Sequence, residues 1–136
     1  MILFVDDEKR RMDNYERELV ASGLEVSFQS DVDEAIRVYE ESGDRLELVI
    51  LDIMMSPGLS FKDVDTEAGL RTGIRFYEKI RQKTPELPVM ILTNVVDERL
   101  PKRFHPDAYC HVFRKEDYLP FELVEEVNNI LARSST

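Results

Sequence analysis

The chain has 136 residues, enough for one ordinary domain with a self-sufficient core and little room for a second. Hydrophobic residues make up 43% and charged residues 34%, a globular balance that excludes a disordered tail. The formal charge of −10 argues against nucleic acid, which needs a basic face, and suits a partner or ligand bringing positive charge, a metal included.

Strand-like and helix-like patterns alternate from the start. Ile2 to Val5 is a short apolar run ending at Asp6 and Asp7. Five leading apolar residues are too few for a signal peptide or a membrane span, so the expected location is cytoplasmic, with no membrane partner. Glu8 to Ser22 reads as a helix, with Met12, Tyr15 and Leu19 at helical spacing and Gly23 as its stop. Leu24 to Phe28 alternates as a strand, and Ser30 stands as the N-cap of a helix carrying Val32, Ala35, Ile36 and Tyr39 that ends near Gly43. Leu46 to Leu51 is a continuous apolar run, the pattern of a strand buried on both faces, and it closes on Asp52.

Next comes an irregular stretch, Ser56 to Arg71, and then a helix with Gly73, Ile74, Tyr77 and Ile80. Pro88 to Leu92 is a fourth buried strand, closing in Thr93 and Asn94. In the segment that follows, Asp97 would cap a helix that Pro101 and Pro106 hold to about one or two turns. Cys110 to Phe113 is a fifth, shorter strand, and Phe121 to Arg133 a final amphipathic helix. Cys110 is the only cysteine, so no intramolecular disulfide forms; a reducing compartment and a packing role for the thiol follow. Strands alternating with helices predict an α/β fold, a doubly wound five-stranded parallel sheet with helices on both faces.

Open α/β sheets bind ligands at the carboxyl ends of their strands. Asp6 and Asp7 follow strand one, Asp52 closes strand three, Thr93 closes strand four and Lys115 lies just beyond strand five. Neighbouring strand ends lie about 5 Å apart, so three carboxylates would share one small cleft. Like charges at about 4 Å repel by roughly 1 kcal/mol in water and several times that near a protein surface, so the cluster needs a cation. An all-oxygen set suits Mg²⁺, and a carboxylate in such a cleft can act as a nucleophile and form an aspartyl phosphate. Each residue also has an ordinary reading: Asp6 and Asp7 as an acidic helix start, Thr93 as a β-branched strand residue, Lys115 as a surface lysine. Their joint placement favours a site.

The ordered set of Asp6-Asp7, LDIMM around Asp52, PVMILTN ending on Thr93 and Asn94, and FRK at Lys115 resembles the receiver domain of two-component response regulators, over nearly the whole chain. The resemblance implies a CheY-like (flavodoxin-like) fold with strand order 2-1-3-4-5. It implies that Asp52 accepts a phosphoryl group from a sensor histidine kinase or histidine phosphotransfer protein. Asp6, Asp7, Asp52 and the backbone carbonyl of Met54 would bind Mg²⁺, while Thr93 and Lys115 would bind the phosphoryl group and report it. Such a protein is a signalling phosphoacceptor, not an enzyme acting on a separate substrate. Its phosphorylated state would alter binding to a downstream protein, with a homodimer as a further arrangement. No DNA-binding module follows Thr136, so it would act alone or as a piece of a larger protein.

Three features depart from the family pattern. Ser56 occupies a position where proline is usual, and the matching glycine falls at Gly73, which leaves a loop at 56–71 about a dozen residues longer than usual. Such a loop would form a lid or docking surface beside Asp52. Glu116, not proline, follows Lys115, and the switch position is Val112, or His111 if Arg114 takes the lysine's place. The proline-broken segment around Pro101 occupies the face receivers often use for output. His105 and His111 lack the companions a metal site needs, and Asp63, Asp65 and Glu67 lack the closing glutamate of a calcium loop, which leaves a solvated acidic loop. A receiver-fold scaffold acting without phosphate is the competing reading. An aspartyl phosphatase is disfavoured, because Met54 stands where its second acid belongs.

Overall fold

The computed structural model describes residues 1–69, 71–94, 104 and 106–134. Asp97, Pro101 and His105 lie outside the described residues. The strands are β1 (Ile2–Val5), β2 (Val26–Gln29), β3 (Leu48–Leu51), β4 (Val89–Thr93) and β5 (Cys110–Arg114). The helices are α1 (Lys9–Ala21), α2 (Val32–Ser42), α3 (Thr72–Lys83) and α4 (Pro120–Ser134), with short 3-10 turns at Gly43–Arg45 and Lys115–Asp117.

All pairings are parallel, in the order β2-β1-β3-β4-β5. This is the expected doubly wound sheet. Strand alternation sends successive side chains to opposite faces, and the core divides accordingly. Leu3, Val5, Val49, Leu51, Val89 and Ile91 join Ala35 and Ile36 of α2 and Ile74 and Ile80 of α3 in one cluster. Ile2, Phe4, Leu48, Ile50, Met90 and Leu92 meet Met12 and Leu19 of α1 and Leu123 and Val127 of α4 in the other. The three central strands are therefore buried on both sides, which is why their sequences read as unbroken apolar runs.

Element ends differ from the sequence reading where a backbone group is already engaged. Leu24 lies outside β2 because its N–H donates to Leu19 O and closes α1, and Leu46 lies outside β3 because its N–H completes the 3-10 turn at Gly43 O. The cap of α2 is Asp31, not Ser30: the Asp31 carboxylate accepts the N–H groups of Asp33 and Glu34 at 2.7 and 3.3 Å, and Ser30 is exposed. The 56–71 stretch is more than a solvated loop. Asp63, Asp65 and Glu67 do face solvent, but Phe61 and Thr66 are buried, and Phe61 joins the α2/α3 core.

Two tight contacts fix how α3 sits. At its start, Gly73 N donates to Ile53 O at 2.8 Å, and a Cβ at Gly73 would stand 2.0 Å from Asp52 O. At its other end the largely buried Arg81 reaches Asp107 at 2.5 Å and donates to the carbonyls of Thr84, Leu87 and Tyr109, while Tyr77 donates its hydroxyl to the same Asp107 carboxylate. Burial alone would raise the Asp107 carboxyl, but its bonds from Tyr77 and Arg81 outweigh that and hold it below the usual range.

Gly73→Ala should cost about 2 kcal/mol or more, because the obstacle is backbone that has no rotamer to change. An unchanged urea midpoint would contradict the packing described. Asp107→Asn should cost about 1.5–3 kcal/mol at neutral pH. Because the folded pKa of Asp107 is depressed, its contribution is complete above the unfolded carboxyl value of about 3.9 and is lost as pH falls through the folded value. The gap between wild type and Asp107→Asn in urea unfolding should therefore shrink between pH 7 and pH 3; a constant gap would contradict the assignment.

Candidate functional site

The carboxyl ends of the strands converge on one cleft of about 320 Å³, lined by Asp7, Glu8, Asp52, Met54, Thr93, Asn94 and Lys115, with Met55, Ser56, Ala68 and Gly69 along the side of the 56–71 insert. Parallel pairing sets the arrangement. Asp52 N donates to Val5 O at 3.0 Å, so the end of β3 lies against the end of β1 and Asp52 stands beside Asp6. One carboxylate oxygen each from Asp6, Asp7 and Asp52 falls within 4.8 Å of the others, a group able to hold a metal ion. Asp6 and Asp52 are buried and Asp7 is exposed at the rim.

Backbone bonds orient both buried acids. Glu8 N donates to Asp6 Oδ1 at 2.8 Å, and Ile53 N donates to Asp52 Oδ1 at 2.8 Å. Their Oδ2 atoms face Lys115, whose Nζ lies 2.7 Å from Asp6 and 3.3 Å from Asp52. Lys115 is itself only 6% exposed, so its charge is spent inside the cleft and not on water. Burial opposes its ammonium, but the facing carboxylates outweigh burial, and its pKa moves up. Asp52 is pushed up to about 6, first by desolvation and then by the charge of Asp6, with Lys115 and the Ile53 N–H working against both. Asp7 is likewise raised, by partial burial and by Asp6 and Glu8. Asp6 Oδ2 is buried, with the Lys115 ammonium against it at 2.7 Å. One lysine does not neutralise this cluster.

Of the two adjacent basic residues, Lys115 is the one that enters the cleft. Arg114 is exposed and pairs with Glu116 at 3.7 Å, so Lys115 and not Arg114 reaches the carboxylates. Val112 stands three residues before it, opposite Ile91 in the sheet, and packs against the α2/α3 core. His111 is on the opposite face, its pKa lowered by burial and by Arg133 of α4, away from the carboxylates. Thr93 is buried and Met54 is 44% exposed; both line the cleft.

Some contributors were read from the sequence in a different role. Tyr15, which helical spacing assigns to the core, donates its hydroxyl to the carbonyls of Lys115 and Tyr118 at 3.1 and 2.8 Å and so holds the turn that carries Lys115. Gly73 admits α3 directly behind Asp52. Ala68 and Gly69 lie 16 and 17 positions after Asp52, and the fold returns them, with Ser56, to one wall of the cleft.

Known proteins point the same way. The sequence model of the response regulator receiver domain matches residues 2–115. The alkaline phosphatase synthesis transcriptional regulatory protein PhoP of Bacillus subtilis is 29% identical over 98% of this chain and 49% of its own length. The response regulator SaeR of Staphylococcus epidermidis is 28% identical over 98% of this chain and 51% of its own. The chain thus spans about half the length of these curated relatives. Among solved structures, a response regulator receiver domain protein from Clostridium thermocellum superposes with a TM-score of 0.74 at 26% identity, covering 98% of this chain and 95% of its own. The receiver domain of the hybrid histidine kinase CckA gives 0.69 at 25%, covering 96% and 97%. The chain belongs to the response regulator receiver domain family of two-component systems.

Proposed function

We propose that Asp52 is a phosphoacceptor: its carboxylate attacks the phosphorus of a phosphohistidine or acyl phosphate, the donor's bond to phosphorus breaks, and the donor leaves with that electron pair. The observation that carries the reading is the pairing of a buried Asp52 with Lys115 at 3.3 Å beside two further carboxylates at one strand-end cleft. Lys115 is a mobile point charge suited to phosphoryl oxygens, and the Thr93 hydroxyl at the same cleft suits a hydrogen bond to them. Val112 takes the switch position in this reading.

The donor set fits Mg²⁺. It is all oxygen, and it carries more negative charge than Lys115 balances. Asp6, Asp7, Asp52 and the Met54 carbonyl would hold the ion, which when bound supplies charge neutralisation for the incoming phosphoryl oxygens. This chain's residues do the rest: the Ile53 N–H fixes the Asp52 rotamer, and Tyr15 steadies the turn bearing Lys115.

The phosphoryl donor in this reading is a sensor histidine kinase or a histidine phosphotransfer protein, and the output is altered binding to a downstream protein in the cytoplasm. Among the described residues no helix is long and apolar enough to cross a membrane. In this reading residues 1–136 are one receiver domain with an insert at 56–71, and the packing of α4 on the same core cluster as α1, beyond the family match, supports it.

Incubation with acetyl phosphate and Mg²⁺ should add one phosphoryl group by intact mass, and neither Asp52→Ala nor metal-free protein should gain it. A gain in either control would contradict the role of Asp52 or of the ion. Mg²⁺ alone should raise the Tm of wild-type protein, since a ligand bound only by the folded state stabilises it, and Asp7→Ala should abolish the rise. An equal rise in the variant would remove Asp7 from the ligand set.

A further inference from the structure

The 56–71 insert forms one side of the cleft through Ser56, Ala68 and Gly69. Its inner end is tied to the exit of β3: Met55 N donates to Gly69 O at 3.0 Å, and Thr72 Oγ1 donates to Met55 O at 2.5 Å. Its outer turn is held from a different element. Asp33, in the first turn of α2, accepts Leu59 N on Oδ2 at 2.9 Å and Ser60 N on Oδ1 at 2.8 Å. Hydrogen bonding by the Ser60 side chain first, and then by the Leu59 and Ser60 N–H groups, keeps the Asp33 carboxyl below its usual range.

Gly58 makes the contact sterically feasible. Its φ is +60°, and a Cβ there would stand 2.4 Å from Asp33 Oδ2. Farther along, Glu67 and Ala68 have φ of 52° and 60°, a left-handed conformation that costs residues with a Cβ of order 1 kcal/mol or more each. A backbone in that state persists only while the surrounding structure over-determines it, and here Glu67 N donates to Asp65 Oδ1 at 3.0 Å and Gly69 N to Thr66 Oγ1 at 3.2 Å.

We propose that Asp33 is a positioning residue for the chemistry at Asp52: by fixing Leu59 and Ser60 it keeps the Ser56–Gly69 wall against the cleft and limits the approach of water to phosphorylated Asp52. This rests on the phosphoacceptor reading. In the step it restrains, a water oxygen bonds to phosphorus as the bond from phosphorus to the Asp52 oxygen breaks. That electron pair stays on the regenerated carboxylate, inorganic phosphate leaves, and the water proton passes to phosphate or solvent. Asp33 touches none of these atoms and acts through the wall.

The test compares wild type, Asp33→Ala and Gly58→Ala. Asp33→Ala removes the acceptor, and Gly58→Ala wedges the same contact apart without altering α2. Each is phosphorylated with acetyl phosphate and Mg²⁺, freed of donor, and followed by intact mass, with amide hydrogen exchange at Leu59 and Ser60 reporting release of the turn. Both variants should take up one phosphoryl group and lose it about 3- to 10-fold faster than wild type, within what a small displacement beside reacting atoms produces. Lifetimes within about twofold of wild type despite faster exchange at Leu59 and Ser60 would overturn the proposal and leave the insert as spacer. Faster loss in Asp33→Ala alone would also overturn it, by tracing the effect to α2. Failure of wild type to take up phosphoryl would instead overturn the phosphoacceptor reading, and this inference with it.

Discussion

Two buried carboxylates facing one buried ammonium set the terms for this structure. Asp6 and Asp52 are taken out of water at the ends of adjacent strands, where their mutual repulsion is several times its value in solvent. Lys115 stands within ion-pairing distance of both, and still Asp52 is pushed up to about 6. An arrangement of this kind is poor evidence of stability, since a hydrophobic trio of similar volume often packs at least as well. In the proposed reading its value lies in what it would receive: a cation held by the carboxylates and an anionic group paired with the lysine.

Much of the surrounding architecture follows from holding those three side chains together. Each comes from a different strand end, so β1 and β3 must be neighbours and β5 must end at the same edge of the sheet. The backbone behind Asp52 is crowded by α3, and only a glycine at position 73 lets the helix approach that closely. Tyr15 bridges from α1 to the turn after β5, so the helix that follows Asp6 and Asp7 also steadies Lys115. The insert then closes the remaining side, tied at one end to Met55 and Thr72 and at the other to Asp33.

The three central strands were legible because strands buried on both faces leave unbroken apolar runs, as at Ile2–Val5 and Leu48–Leu51, while β2 showed by alternation. The carboxylates and Thr93 were legible because residues at the carboxyl ends of such runs fall at one edge of a parallel sheet. Whether Lys115 or Arg114 entered the cleft was not, since adjacent residues differ only in the face they take and β5 is an edge strand of intermediate burial. Ser30 and Asp31 are both good caps, and only the backbone geometry selects Asp31. The insert was the least legible segment: contacts such as Asp33 to Leu59 and Ser60 join distant residues and leave no periodicity behind.

The most direct test of the account is to find where the phosphoryl group resides. Protein treated with acetyl phosphate and Mg²⁺ would be reduced with borohydride, which converts an aspartyl phosphate to homoserine, and mapped by peptide mass spectrometry. The account predicts homoserine at position 52 and intact aspartate at positions 6 and 7. Homoserine at position 6 or 7, with aspartate retained at 52, would contradict the assignment of nucleophile and cation ligands on which the whole reading rests.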